Sequence, residues 1–243
     1  MNKQPHKKPI GEDGPLRISA PEGQAEMEWR KIEHPPGKRE QETATATAFI
    51  DALNAEEKSN LKLSQLEEDD FDFEIQSGDE KRYLELQEII IPGKKRGSPY
   101  APGEQVIDEQ KFAKTILGAI RSKALKYPKG LQQPLDLLIY HTHWRFRPNE
   151  AVLKLVAHGL KGQSLPFARV YYFNRLGAEK GEGKATRLFP DAVILSGFRP
   201  DAPTSKYANF DPAGAQPFNE EGNVGVRFNL SPDAVKKLGL AQK

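Results

Sequence analysis

Residues 69–90, DDFDFEIQSGDEKRYLELQEII, carry the clearest structural pattern in the sequence. In its first part Asp70, Asp72 and Glu74 share one parity, and apolar residues occupy the other. Side chains along a strand point alternately to its two faces, so this pattern predicts a strand with one acidic and one apolar face. The segment 77–79, Ser-Gly-Asp, predicts a turn, and a second strand is predicted over 82–91. The whole stretch therefore predicts an antiparallel β-hairpin.

Helices and strands predicted on both sides of the hairpin indicate an α/β fold. Apolar periodicity predicts helices over 39–57, 108–126 and 149–158, and strands over 61–66, 135–140 and 167–173. Weaker patterns predict strands over 192–195 and 224–228, a surface loop over 197–222, a hairpin turn at 181–184 and a short helix that begins near Ser231. This order predicts a central mixed sheet flanked by helices.

The chain divides into an arm and one domain. Residues 1–37 combine many prolines and charges with few large apolar groups, and such a segment buries too little surface to offset its ordering entropy. We expect a flexible N-terminal arm over 1–37, with its end anchored by Trp29 and Ile32. Residues 38–243 are expected to form a single domain, in which 161–243 is a C-terminal extension.

Composition narrows the classes of function. The chain has no cysteine, which excludes a disulfide framework, a thiolate zinc site and a cysteine nucleophile. No apolar run approaches the roughly 20 residues that span a bilayer, so we expect a cytoplasmic protein with no membrane contact. The formal net charge is only +2, so nucleic-acid binding would require a local basic patch.

The hairpin carries the candidate catalytic residues Asp70, Asp72, Glu85 and Gln87. Period two places Asp70 with Asp72 and Glu85 with Gln87, and pairing of the two strands brings the two sets together. Carboxylates that converge at a buried sheet repel one another, and a hard divalent cation such as Mg²⁺ or Mn²⁺ relieves the repulsion. Such a cation can polarise a phosphoryl oxygen, so the pattern indicates phosphodiester hydrolysis.

The hairpin, the basic helix after it and LDLLIY at 135–140 together resemble the core of the PD-(D/E)XK nuclease superfamily. The resemblance covers about residues 39–140 and implies a restriction-endonuclease-like order of helix, hairpin, helix, strand. By the family pattern Asp70, or Asp72 in another register, is the first metal ligand and Glu85 the second. Gln87 stands where the family usually has lysine, and we expect it to position the attacking water.

The resemblance also assigns roles to both flanking helices. Lys123 or Lys126, in the helix after the hairpin, could replace the missing lysine and stabilise phosphate charge. Glu40 or Glu42, in the first helix, would supply a further carboxylate.

Three functions remain open at this point. The first is a metal-dependent nuclease that acts on DNA rather than RNA, with Lys94, Lys95, Arg96 and Arg121 as phosphate contacts. The second is a non-catalytic module on the same fold that binds nucleic acid or protein, which the Gln87 position favours. The third is an α/β interaction domain whose acidic face is exposed. A homodimer is a further expectation.

The segment HTHWRFRP at 141–148 carries two further alternatives. His141 and His143 could form a metal pair, or they could be hydrogen-bonded imidazoles at a strand end, which is the more common arrangement. The aromatic and arginine side chains of 144–147 could stack on bases and bind phosphates, or the aromatic rings could pack in the core.

Overall fold

The computed structural model describes residues 13–14, 16–19, 26–29, 32–66, 71–90, 106–128, 131–177, 181–200, 203–208, 216–220 and 223–227. The strands are β1 (Leu16–Ser19), β2 (Glu26–Trp29), β3 (Lys62–Gln65), β4 (Phe73–Ser77), β5 (Glu80–Glu88), β6 (Val106–Asp108), β7 (Leu135–Tyr140), β8 (Arg169–Arg175), β9 (Gly183–Phe189), β10 (Lys206–Ala208), β11 (Gln216–Glu220) and β12 (Asn223–Arg227). The helices are α1 (Lys38–Glu57), α2 (Glu109–Ala124) and α3 (Glu150–Leu160). In this part of the chain no helix is long and apolar enough to cross a membrane.

A six-stranded sheet in the order β3-β4-β5-β7-β8-β9 organises the molecule. Strands β5, β7 and β8 are parallel, and the other pairings in this sheet are antiparallel. Parallel neighbours need a crossover connection, and α2 and α3 lie in the two crossovers. The predicted α/β class with a mixed central sheet flanked by helices is therefore confirmed.

The hairpin forms as predicted from β4 and β5. Its two-residue turn contains Gly78, which has a φ of 59°, a conformation that favours glycine because it has no Cβ. Phe73 pairs with Leu84, so the register extended by one residue brings Asp72 opposite Glu85. The register thus places the two acidic positions on one face of the sheet.

The two faces of the sheet bury separate cores. Leu84, Leu86 and Leu138 pack with α1 on one face, whereas Leu137 and Ile139 pack with α2 and α3 on the other. Residues that belong to the two cores alternate along β5 and β7, because successive side chains of a strand point to opposite faces of the sheet. Glu85 has the parity of the second face, so it points toward α2.

The C-terminal part differs from the predictions at two places. The predicted strand over 192–195 is wrong, because Val193–Leu195 forms a 3₁₀ helix. The predicted loop over 197–222 contains β10, which pairs with β6, and β11, which pairs with β12. The predicted strand over 224–228 corresponds to β12, whereas the helix predicted near Ser231 lies outside the described residues.

Two parts of the segment before α1 have defined contacts. Strands β1 and β2 form an antiparallel pair. Asp13 and Ile32 form an isolated bridge, and both residues are buried. Ile32 therefore anchors the chain just before α1, as expected. The division into arm, domain and extension stays a prediction.

Candidate functional site

Two hairpin carboxylates define the candidate site. Glu85 lies in the middle of β5 and is only 3% exposed. Asp72 lies immediately before β4, where its Oδ2 accepts a hydrogen bond of 2.8 Å from the backbone N–H of Leu86. This bond fixes Asp72 across the hairpin, beside the residue that follows Glu85.

Helix α2 brings a cation and a hydroxyl to Glu85. The helix begins at Glu109, where the Asp108 side chain accepts a hydrogen bond from the N–H of Lys111 and so satisfies one of the open donors of the first turn. In its last turn Lys123 places Nζ 2.5 Å from Oε2 of Glu85. Tyr127, four residues later, hydrogen-bonds to the same carboxylate through its side chain.

Burial and like charge set the electrostatics of this group. Burial raises the pKa of the Glu85 carboxyl, Lys123 and Tyr127 oppose that rise through their hydrogen bonds, and the Asp72 carboxylate adds to it. Burial, together with the bonded Glu85 carboxylate, also raises the pKa of the Tyr127 hydroxyl. The ammonium of Lys123 is thus the main stabiliser of a negative charge that its surroundings disfavour.

A cavity of about 480 Å³ opens beside this group. Its walls combine carboxylates, basic side chains and aromatic rings from α1, β4, β5 and α2. The lining residues are Lys38, Arg39, Glu42, Gln65, Leu66, Phe71, Asp72, Phe73, Glu85, Lys123, Lys126 and Tyr127. The N-terminal part of α1 therefore supplies a third carboxylate, Glu42, which pairs with Lys38 one turn earlier at 3.4 Å.

The structure brings together only part of the predicted set. Asp72, Glu85, Lys123 and Lys126 all line the cavity, and of the two glutamates proposed in the first helix Glu42 does so. Gln87 is not a lining residue, and its side-chain amide donates to the carbonyl of Glu88.

Several predicted residues lie elsewhere. Arg121 is exposed on α2 and does not line the cavity, and neither does Glu40. Asp70 and the basic run 94–96 lie outside the described residues, so their roles stay predictions.

Among the lining residues with a charge or a hydroxyl group, three were not predicted from the sequence. Lys38 and Arg39 begin α1, and nothing in their local pattern separates them from other basic residues. Tyr127 had a usable signal, since it follows Lys123 by four residues and that spacing places side chains on one side of a helical turn.

The segment 141–147 serves packing and hydrogen bonding. Nε2 of His141 is 3.1 Å from Oδ2 of Asp13, and its Nδ1 is 3.0 Å from the Tyr172 hydroxyl. The Nδ1 atom of His143 accepts a hydrogen bond from the backbone N–H of Arg145. The suggested histidine metal pair does not form here, because these nitrogens bind protein groups.

The base-stacking interpretation of the same segment is also wrong. Trp144 is 6% exposed and Phe146 is fully buried, so both rings belong to the core. Arg145 lies over the ring of Trp144 at 5.3 Å, and Nη2 of Arg147 binds Oδ1 of Asp13 at 2.6 Å. Neither arginine is arranged as a surface phosphate contact.

Asp72 and Glu85 contribute carboxylate oxygens to the cavity, and oxygen atoms are the ligands that hard cations such as Mg²⁺ prefer. Across the described ranges, no three histidine, cysteine, aspartate or glutamate side chains lie close enough together to hold a metal ion. Mg²⁺ is commonly bound through one or two carboxylates and keeps several waters, a requirement that Asp72 and Glu85 can meet.

Comparisons with models of protein families, with curated proteins and with solved structures give no match to this chain.

Proposed function

We propose that this protein is a metal-dependent phosphodiester hydrolase of the PD-(D/E)XK type that acts on nucleic acid. The observation that carries the proposal is the convergence of Asp72, Glu85 and Lys123 on one cavity. They come from the loop before β4, from the middle of β5 and from the end of α2, so the sequence alone does not require them to meet.

The order of elements supports the proposal. Helix α1, the hairpin of β4 and β5, helix α2 and strand β7 occur along the chain, with β3 and β6 between them, in the order that the resemblance implies. Strand β7 pairs with β5 in parallel, which places α2 as the crossover that carries Lys123 back over Glu85.

The charge pattern of the cavity also supports a nucleic-acid substrate. Lys38, Arg39 and Lys126 lie on the same walls as the carboxylates, and both Lys38 and Lys126 are exposed. Basic side chains at the mouth can bind backbone phosphates. DNA is the substrate that we expect.

In the proposed reaction Asp72 and Glu85 would hold Mg²⁺ or Mn²⁺. When bound, the cation polarises the phosphoryl oxygen and makes water a better nucleophile. Lys123 neutralises Glu85 and would stabilise negative charge on the phosphate, because its side chain lines the same cavity. The Tyr127 hydroxyl keeps the Glu85 carboxylate oriented.

A second candidate function is a non-catalytic nucleic-acid- or protein-binding module on the same fold. Two observations favour it: Gln87 is turned to the carbonyl of Glu88 and is not part of the cavity, and Lys123 already neutralises Glu85 at 2.5 Å. A site with no position for a cation would bind its partner through the basic walls alone.

The test is cleavage of single- and double-stranded DNA and RNA with Mg²⁺ or Mn²⁺. We expect the wild type to cleave DNA and Glu85→Gln to lose the activity, because glutamine keeps the shape of the side chain and removes the charge. Glu74→Gln is the matched control, since Glu74 lies on the same hairpin, pairs with Lys81 and does not line the cavity.

The outcomes separate the two functions. Cleavage that survives in Glu74→Gln and disappears in Glu85→Gln supports the hydrolase. Retention of DNA by a protein that cleaves none of the substrates, with equal retention by Glu85→Gln, would replace the hydrolase with the binding module.

A further inference from the structure

A second cavity, of about 540 Å³, lies at the other end of the β4–β5 hairpin. It is formed by the hairpin turn, by the approach to β7 and by the beginning of β8. The lining residues that matter are Arg82, Asp136 and Arg169, with Asp79 and Glu80 at its exposed rim. None of them belongs to the proposed active site.

Asp136 is an unusual residue for the interior of a sheet. It is the second residue of β7 and is only 2% exposed. Its Oδ2 lies 3.7 Å from Nη1 of Arg82, while its Oδ1 is buried and has no hydrogen-bond partner among the described residues. Burial of a carboxylate oxygen without a hydrogen-bond donor costs free energy. A donor supplied by a bound ligand would therefore stabilise this atom.

The two charged groups that act on Asp136 are both cationic, whereas the cavity as a whole is lined by acidic and basic side chains. Arg82 approaches from β5, and Arg169 pairs with Asp136 across the β7–β8 ladder. Arg169 also donates to the Tyr171 hydroxyl, and Glu57 of α1 acts on both of these residues from further away. Burial raises the pKa of Asp136 to about 6 against the opposing effect of the two arginines. At pH 8 the cavity floor therefore holds two guanidinium groups and one carboxylate.

We propose that this cavity binds inorganic hydrogen phosphate. This ion carries both features that the floor requires. Its anionic oxygens accept from the guanidinium groups of Arg82 and Arg169, and its P–OH donates to Oδ1 of Asp136. The carboxylate thus makes the site selective for an oxyanion that brings its own proton.

The requirement for a P–OH donor excludes other oxyanions that resemble hydrogen phosphate. Sulfate at pH 8 has the charge and shape of hydrogen phosphate but no proton, so its oxygens would face Asp136 with lone pairs on both sides. A phosphodiester such as a nucleic-acid backbone has no P–OH, because two of its oxygens are esterified and its one acidic oxygen is ionised. A phosphomonoester has also lost its second proton at pH 8, since its second pKa is about 6. This cavity and the proposed hydrolase site therefore bind different ligands.

The test is calorimetric titration of the full chain at pH 8 with inorganic phosphate, sulfate, dimethyl phosphate and a nucleoside 5′-monophosphate. The wild type is expected to bind inorganic phosphate at least about tenfold more tightly than sulfate, dimethyl phosphate or the monophosphate, the size of one charge-assisted hydrogen bond. Binding of the nucleoside monophosphate as tight as that of inorganic phosphate would contradict the need for a P–OH donor.

Asp136→Asn supplies the decisive variant. Asparagine can donate an N–H to the oxyanion, so sulfate should gain affinity and the preference for phosphate should fall to within about threefold. Glu80→Gln, at the rim, should leave the preference unchanged. If Asp136→Asn does not fold, Arg169→Gln takes its place and is expected to lose phosphate binding.

Three further results would overturn the proposal. These are the absence of binding of inorganic phosphate at 10 mM, equal affinity of the wild type for sulfate and phosphate, and an unchanged preference in Asp136→Asn. Any of them would mean that water alone satisfies Oδ1.

Discussion

Replacement of Lys123 with methionine tests the electrostatics of the candidate site. Methionine keeps most of the length and the helix propensity of lysine but leaves Glu85 without the ammonium 2.5 Å away. Removal of one partner of a buried ion pair costs about 3–5 kcal/mol. The Glu85 side chain is 4% exposed and that of Lys123 is 15% exposed, so we expect a loss near the lower limit, about 3 kcal/mol, at pH 8.

The loss should depend on pH in a defined direction. Burial already raises the pKa of Glu85, and removal of Lys123 raises it further. A carboxyl with a raised native pKa binds more protons in the folded state, so its contribution to stability falls as pH increases. The difference between Lys123→Met and the wild type should therefore be small at pH 5 and large at pH 8.

Urea unfolding at the two pH values measures this difference. Lys126→Met is the control, because Lys126 lines the same cavity but is exposed, and it should change the unfolding free energy by less than about 0.5 kcal/mol. Equal destabilisation by the two substitutions, or a loss from Lys123→Met that does not change with pH, would refute the buried ion pair.

Three further predictions concern other carboxylates. Asp72→Ala should cost about 1–2 kcal/mol because the Leu86 N–H loses its acceptor, and Asp72→Asn should restore most of that loss in the same denaturant titration. Asp136→Asn in phosphate-free buffer should stabilise the protein by up to about 3 kcal/mol at pH 8 and by less than about 1 kcal/mol at pH 4, since the native pKa is raised from 3.8 to about 6; equal effects at both pH values would contradict it. Asp13→Asn should destabilise by about 3 kcal/mol at pH 7, because His141 and Arg147 hold the pKa of Asp13 well below its usual range in spite of its burial. That stabilisation is complete above about pH 4 and is lost as pH falls through the native pKa, which acid unfolding curves of the variant and the wild type would reveal by converging at low pH.

The hairpin could be predicted because its signals are local. Alternation along β4 and β5 and the Gly78 turn each depend on a few neighbouring residues. The choice between Lys123 and Lys126 could not be made in this way, since residues three apart lie on the same side of a helix. Only the packing of α2 on the sheet brings Lys123 to Glu85.

Features that depend on distant pairing were missed. Strand β9 contains few large apolar residues and exists because it pairs with β8. Strand β10 has three residues and is defined by its pairing with β6. The ion pair between Asp13 and Arg147 joins positions 134 residues apart, and no local pattern indicates it. The lack of a hydrogen-bond partner for Oδ1 of Asp136 within the described ranges could not be predicted either. A single aspartate in the apolar run 135–140 indicates only the end of a strand.

The most direct test of the account is the number of Mn²⁺ ions bound per chain, measured by electron paramagnetic resonance in the wild type, Glu85→Gln and Glu74→Gln. If Asp72 and Glu85 hold a catalytic cation, the wild type and Glu74→Gln should bind Mn²⁺, and Mg²⁺ should displace it. In Glu85→Gln the affinity should fall at least about tenfold, since one of two carboxylate ligands is lost. A wild type that binds no Mn²⁺, or a Glu85→Gln variant that binds it as tightly as the wild type, would contradict the claim that this cavity holds a catalytic cation.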